Sequence, residues 1–254
     1  MARPVALVTG VGRKAGIGAA IAARLCEDGW NIATTYWPEL DRDLYGPGVD
    51  TQADEIVGEL AVPGARAIAI EADLGVDDVP RQVFDEVERR LGTVAALIVN
   101  HTHCVVTPLL ETSAASLDRH LAVNVRGVLS LIQEFARRYQ PAAGPGRIVT
   151  LTSDHTVGNV AYGVSKGAAD RLTDAAAFEL GHLGITANAV NPGPIDTGWM
   201  NDEHRSHAAA KTPLPRSASA DDAANLVAFL CSERGGWITG QLLFSNGGFR
   251  GTIG

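Results

Sequence analysis

Short apolar runs rich in Val and Ile recur along these 254 residues, and each leads into a longer stretch with helical spacing. Such alternation builds βα units, whose helical crossovers make neighbouring strands parallel in one sheet. Val94–Val99, reading Val-Ala-Ala-Leu-Ile-Val, has no polar residue, as a strand covered on both faces requires. The runs predict strands at about 4–9, 30–36, 65–70, 94–99, 147–151, 185–190 and 238–244. Helices are expected at about 17–28, 51–60, 77–91, 114–138, 161–181 and 220–232. Within the third helix, Val79, Val83, Val87 and Leu91 share one face and Gly92 stands just past the end. The expected fold class is α/β, a doubly wound seven-stranded parallel sheet with helices on both faces. Ligands in such sheets bind at the carboxyl ends of the strands, where the winding reverses.

No linker or internal repeat divides residues 1–254, so one domain is expected. Two segments read as irregular: 37–48, with Pro38 and Pro47, and 199–219, with Pro213 and Pro215. The second follows a late strand and is placed to serve as a lid over a substrate. A net charge of −8, with basic residues no denser than pairs, argues against a nucleic-acid partner. No apolar run reaches membrane-spanning length, and three scattered cysteines point to a reducing compartment. The expected location is the cytoplasm.

The first strand runs into Thr9-Gly10-Val11-Gly12-Arg13-Lys14-Ala15-Gly16-Ile17-Gly18, directly before a helix. A Gly-rich turn feeding a helix N-terminus offers free N–H groups and a positive dipole end to a pyrophosphate. A site specific for NAD places an acid at the end of the second strand, to hold the ribose hydroxyls. Here that place holds Tyr36 and Trp37, and Arg13 and Lys14 stand in the turn. NADP(H) is therefore favoured over NAD(H), since a guanidinium matches a phosphate. Glu39 or Asp41 could still fold back onto the ribose.

Tyr162 and Lys166 open a predicted helix four residues apart, so both face one way. With the Gly-rich turn, this pair resembles the short-chain dehydrogenase/reductase family, and more closely its 3-oxoacyl-carrier-protein-reductase-like branch. The resemblance covers nearly the whole chain. It includes Asp73-Leu74, Asn124 in Val-Asn-Val-Arg-Gly, Ser153 after Arg147–Thr152, Asn191–Thr197, and Trp237–Gln241 with Gly247-Gly248.

The resemblance implies a Rossmann fold, a small-molecule carbonyl or alcohol substrate, a nicotinamide cofactor and a homotetramer or homodimer. It implies an oxidoreductase that interconverts a ketone and a secondary alcohol. Tyr162 would exchange the proton, which calls for about 3 units of pKa depression, some 4 kcal/mol. Lys166 would supply positive charge and hold the nicotinamide ribose, Ser153 rather than Thr152 would orient the substrate oxygen, and Asn124 would support a water leading from Lys166 to solvent. The cofactor would be held by Gly10, Gly12, Arg13, Lys14, Gly16, Ile17, Gly18, Tyr36, Asp73, Leu74, Asn100, His101, Tyr162, Lys166, Pro192, Gly193, Ile195 and Thr197. Asp73 would contact the adenine.

Three departures from the family pattern stand out. The Gly-rich turn is about two residues longer than usual; Asn100 is followed by His101-Thr102-His103 rather than Asn-Ala-Gly; and Ser153 lies only nine residues before Tyr162, about four fewer than is common. His101, His103 and Cys104 invite a metal reading, but no second ligand cluster stands at a suitable spacing, so no metal is expected. His155 could meet the substrate or sit in a loop. Trp199 and Met200 could line the substrate pocket or pack a lid onto the body. Two alternatives stay open beside an NADPH-dependent carbonyl or 3-oxoacyl-type reductase: an NAD-dependent alcohol or polyol dehydrogenase, and a catalytically silent binding protein of the same fold.

Overall fold

The computed structural model describes residues 3–46, 52–60, 62–214 and 216–250. Seven strands form one parallel sheet: β1 (Val5–Val8), β2 (Asn31–Tyr36), β3 (Ala67–Glu71), β4 (Val94–Val99), β5 (Gly146–Leu151), β6 (Ile185–Asn191) and β7 (Leu242–Phe244). Their spatial order is β3-β2-β1-β4-β5-β6-β7, so the winding reverses between β1 and β4. This is a Rossmann-type doubly wound sheet. Alternate residues of β1 feed opposite cores, Ala6 and Val8 on one side and Val5 and Leu7 on the other.

On the first side lie α1 (Ile17–Glu27), α3 (Gln52–Glu59) and α9 (Ala220–Cys231), through Ile21, Leu25, Ile56, Val227 and Leu230. On the other lie α4 (Val79–Arg90), α6 (Gly127–Arg138) and α7 (Val160–Glu179), through Val83, Phe84, Val87, Leu131, Phe135 and Ala176. Gly92, at φ +112°, takes the left-handed turn that ends the α4 segment. Ser219 and Asp222 form a reciprocal capping box at the start of α9.

Both segments expected to be irregular contain helices. Pro38 stands at the first turn of α2 (Pro38–Tyr45), where its missing N–H costs nothing, so it starts a helix rather than breaking one. The second is α8 (Asp202–Lys211), capped by Asn201 Oδ1 accepting from the His204 N–H at 2.8 Å. Only Ala208 of α8 is buried, so no apolar stripe announces the helix. Pro47 of the first segment and Pro215 of the second lie outside the described residues.

The long helix expected over 114–138 divides into α5 (Ala114–Leu121), one π-helical turn (Ala122–Arg126) and α6. Gly127 lies against the turn that follows β3: a Cβ on it would come 2.4 Å from the Leu74 carbonyl oxygen. The final strand is shorter than 238–244, because Gly240 turns the chain at φ +69° before Leu242.

Candidate active site

A cleft of about 890 Å³ opens at the carboxyl ends of the strands, centred on the switch between β1 and β4. Asn100, just past β4, donates through Nδ2 to the Thr9 and Gly10 carbonyls at 3.0 and 2.9 Å and so joins the two strand ends. Gly10 sits at φ +73°, and a Cβ there would meet His101 Cα at 2.6 Å. Gly12 is less constrained, since a Cβ there would meet only the end of the Asp41 side chain. Helix α1 begins without a side-chain cap and without an acid in its first turn. Its N-terminal N–H groups and dipole are thus available to an anion.

Gly10, Gly12, Arg13, Gly16, Ile17, Tyr36, Asp73, Leu74, Asn100 and His101 all line the cleft, as do Pro192, Gly193, Ile195 and Thr197. Arg13 crosses it: its guanidinium lies 3.4 Å over the Tyr45 ring, pairs with Asp41 at 3.6 Å, and donates to the Thr197 carbonyl on the far wall. Lys14 does not join it. Its ammonium bonds Glu59 at 2.6 Å and Glu55 at 2.9 Å on α3, so the acids of that helix draw it out of the cleft. Gly18 also serves packing rather than lining: a Cβ would come 2.6 Å from Asn100 Nδ2 and 2.9 Å from the Gly10 carbonyl oxygen.

Asp73 accepts from the Gly75 N–H at 2.9 Å and from Arg119 at 3.0 and 3.1 Å. His101 turns inward. The Val123 carbonyl can only accept, so Nε2 carries the proton at 3.2 Å, and Nδ1 accepts from the Thr9 hydroxyl at 2.8 Å. Burial, with the Lys166 charge nearby, pushes this imidazole down to about 4 and keeps it neutral. Among the described residues, no group of three or more His, Cys, Asp or Glu is placed to hold a metal ion.

Helix α7 brings Tyr162 and Lys166 to the floor of the cleft, with Lys166 Nζ 5.7 Å from the Tyr162 ring centroid. Lys166 donates to the Leu151 carbonyl at 2.8 Å. Burial pulls its ammonium down to about 8, against the opposing effect of Asp170 one helical turn further on. Burial likewise raises the Tyr162 phenol above its ordinary 10.0, and the Cys104 thiol adds to that. A hydrogen bond from Ser153 works in the opposite direction. The Ser153 oxygen also accepts from the His155 N–H at 3.1 Å, which leaves its O–H to point at the phenol or a ligand. The depression that the chemistry calls for rests on Lys166 together with a bound oxidised nicotinamide; in the free protein, burial and Cys104 outweigh the Ser153 hydrogen bond.

Asn124 stands on the π-helical turn, behind the cleft. Its Oδ1 accepts from the His103 N–H at 2.7 Å, and its Nδ2 donates to the His103 carbonyl at 2.8 Å and to Ser165 Oγ at 2.9 Å. Both amide hydrogens are spent on protein, so the side chain fixes the backbone at 103 rather than donating to a water. His155 and Trp199 line the cleft, whereas Met200 is 7% exposed and packs inside.

The sequence pattern of a family described as Enoyl-(Acyl carrier protein) reductase matches residues 10–250. An uncharacterized oxidoreductase of Bacillus subtilis is 38% identical over 251 residues, covering 96% of each chain. The chain belongs to the short-chain dehydrogenase/reductase family. It is thus an oxidoreductase, similar also to a 3-oxoacyl-[acyl-carrier-protein] reductase of Staphylococcus epidermidis, at 33% identity over 250 residues, 96% of this chain and 97% of that one. Among solved structures, a short-chain dehydrogenase of Burkholderia cenocepacia in complex with NADP superimposes at a TM-score of 0.85, with 34% identity and 98% of each chain covered. A metagenomic blue fluorescent protein in complex with NADPH gives 0.84 and 35%, again over 98% of each.

Measured against the family pattern, several cleft residues of this dehydrogenase/reductase escape a reading by motif. Tyr45 was hidden because α2 was not expected, and Arg119 carries no local signal. Asn159, at the N-cap of α7, and His204, on α8, also line the cleft.

Proposed function

We propose that this protein is an NADPH-dependent reductase of a small ketone, giving a secondary alcohol. The observation that carries the reading is the convergence of Ser153, Tyr162 and Lys166 in one cleft with the Gly10–Gly16 cradle. A bound nicotinamide would supply the hydride, and its phosphates suit the uncapped start of α1. Of the two cations in the Gly-rich turn, Arg13 is the one in the cleft, which favours a 2′-phosphate, and two similar proteins were solved with NADPH or NADP.

Ser153 would orient the carbonyl oxygen through its hydroxyl. Tyr162, held above its ordinary pKa, is protonated at neutral pH, the form needed to give a proton to that oxygen. Lys166, at about 8, carries its charge at neutral pH and stabilises the phenolate left behind. Gly10, Gly12, Gly16, Ile17, Tyr36, Asp73, Leu74, Asn100, Pro192, Gly193, Ile195 and Thr197 would hold the dinucleotide. Helix α8 would act as a lid, with Trp199 against the substrate. Exposed apolar residues at Leu110, Phe178 and Trp237 suit a homodimer or homotetramer, and the net charge suits a cytoplasmic protein without a nucleic-acid partner.

An NAD-dependent alcohol or polyol dehydrogenase is the second reading. It is favoured by Asp41, whose carboxylate lines the cleft beside Gly12 where ribose hydroxyls would be sought. Absorbance of NADPH and NADH over a panel of ketones decides between them. The reductase reading expects NADPH oxidation, lost by about 100-fold or more in Tyr162→Phe. Equal rates in that variant, or preferential NAD reduction with alcohols, would contradict it.

A further inference from the structure

We propose that Asn159 is a substrate-binding residue, and that the ketone it receives bears a hydroxyl on the carbon next to the carbonyl. The inference rests on the reductase reading and adds the substrate class. Asn159 is 1% exposed and lines the cleft, and its Oδ1 has no hydrogen-bond partner. Buried amide oxygens are seldom left in that state, so an atom without a partner inside a ligand cleft points to one supplied by the ligand.

Local structure offers Asn159 an easy alternative, which it does not take. It occupies the N-cap of α7, where an Asn oxygen ordinarily accepts from the N–H groups of the first turn, yet its side chain makes no cap bond. Instead Nδ2 donates to Cys104 Sγ at 3.4 Å, which anchors the amide by its nitrogen and leaves the oxygen free. Cys104 therefore sets the orientation.

The position relative to the chemistry restricts the ligand. Asn159 stands at the N-cap, just before α7, and Cys104, which its Nδ2 meets at 3.4 Å, also lies near enough to act on the Tyr162 phenol, so amide and phenol share one part of the cleft. A group that reaches the amide while its carbonyl oxygen meets the phenol must sit within a bond or two of the reacting carbon. The free amide oxygen asks for a donor, and the buried Lys166 ammonium disfavours a cationic one. A hydroxyl fits, and it has lone pairs to spare. His103 Nδ1, also buried without a partner, belongs to the segment that carries Cys104 and lines the same cleft. A hydroxyl can donate to the Asn159 oxygen, whereas a plain ketone has no hydrogen to give it.

The test compares matched ketones with and without the α-hydroxyl, on whichever carbon skeleton the enzyme reduces best, for instance 1-hydroxybutan-2-one and butan-2-one. Wild-type protein should favour the hydroxyketone in kcat/KM by about tenfold or more. Asn159→Leu should bring that ratio near one, while Asn159→Asp, which keeps an acceptor, should retain a ratio well above one. NADPH binding followed by fluorescence shows that each variant is folded, and should Asn159→Leu fail to fold, the wild-type and Asp ratios still decide. Equal use of both ketones by wild type overturns the inference and leaves the reductase standing. A preference unchanged in Asn159→Leu overturns the assignment to Asn159. No NADPH oxidation with any ketone removes the reductase reading and this inference together.

Discussion

At the nucleotide end of the cleft, the polar side chains are tied to one another: Asn100 to Thr9 and Gly10, Asp73 to Arg119, His101 to Thr9 and Val123, and Arg13 to Asp41 and Thr197. At the substrate end, Asn159 Oδ1, His103 Nδ1 and His204 Nδ1 are buried with no hydrogen-bond partner. The first end is a rigid receptor built from glycine geometry and internal bonds, ready before any ligand arrives. The second leaves these three atoms uncommitted, and they are where specificity resides, because an uncompensated buried acceptor penalises any ligand that does not satisfy it.

The rigidity of the first end is broken most severely at Gly10. Gly10→Ala puts a Cβ 2.6 Å from His101 Cα at a backbone angle that favours glycine, so a loss of about 2–4 kcal/mol and a markedly lower Tm are expected, together with weakened nucleotide binding. A thermal melt that matches wild type would contradict the close fit.

The next effect comes through pH. His101, pushed down to about 4, lies below the 6.5 of an ordinary imidazole, so the unfolded chain takes up the proton first. Stability present above pH 6.5 is therefore lost as the pH falls towards 4, by about 3 kcal/mol at most. His103, also pushed down to about 4, adds to the same limb. His101→Asn should flatten the fall of Tm between these values, and an unchanged slope would show that this imidazole is not buried neutral.

A smaller effect sharpens the account of the nucleotide end. Asp41→Asn frees Arg13 from its carboxylate and should tighten NADPH binding by about three- to tenfold, with little change for NADH. If NADH gains instead, Arg13 does not meet the 2′-phosphate. The smallest effect is expected at Lys14, whose ammonium is held by Glu55 and Glu59: Lys14→Ala should shift NADPH affinity by less than about twofold.

Sequence and structure agree where one physical rule acts alone. The all-apolar β4, the Val83-Val87 face of α4 and the Gly-rich turn each follow from burial, periodicity or positive φ, and all seven strands were legible on those grounds. Agreement ends where tertiary contacts outweigh local pattern. Arg13 and Lys14 are adjacent and alike in charge, and only the presence of α2 and α3 sends one across the cleft and the other away. Nor could spacing show that Asn124 would spend its amide on His103, since that depends on a π-helical turn with no sequence signature. The Asn159 oxygen was invisible for a related reason: an N-cap Asn reads as a cap until the bond is seen to be missing.

The proposed chemistry requires the bound nucleotide to reverse the free protein's electrostatics at one phenol. Ultraviolet difference titration of tyrosinate, with Tyr162→Phe subtracted, reads that group alone. Without nucleotide, Tyr162 should ionise only above 10.0; with saturating NADP its midpoint should fall by about two units or more. An identical midpoint in both states would contradict the account.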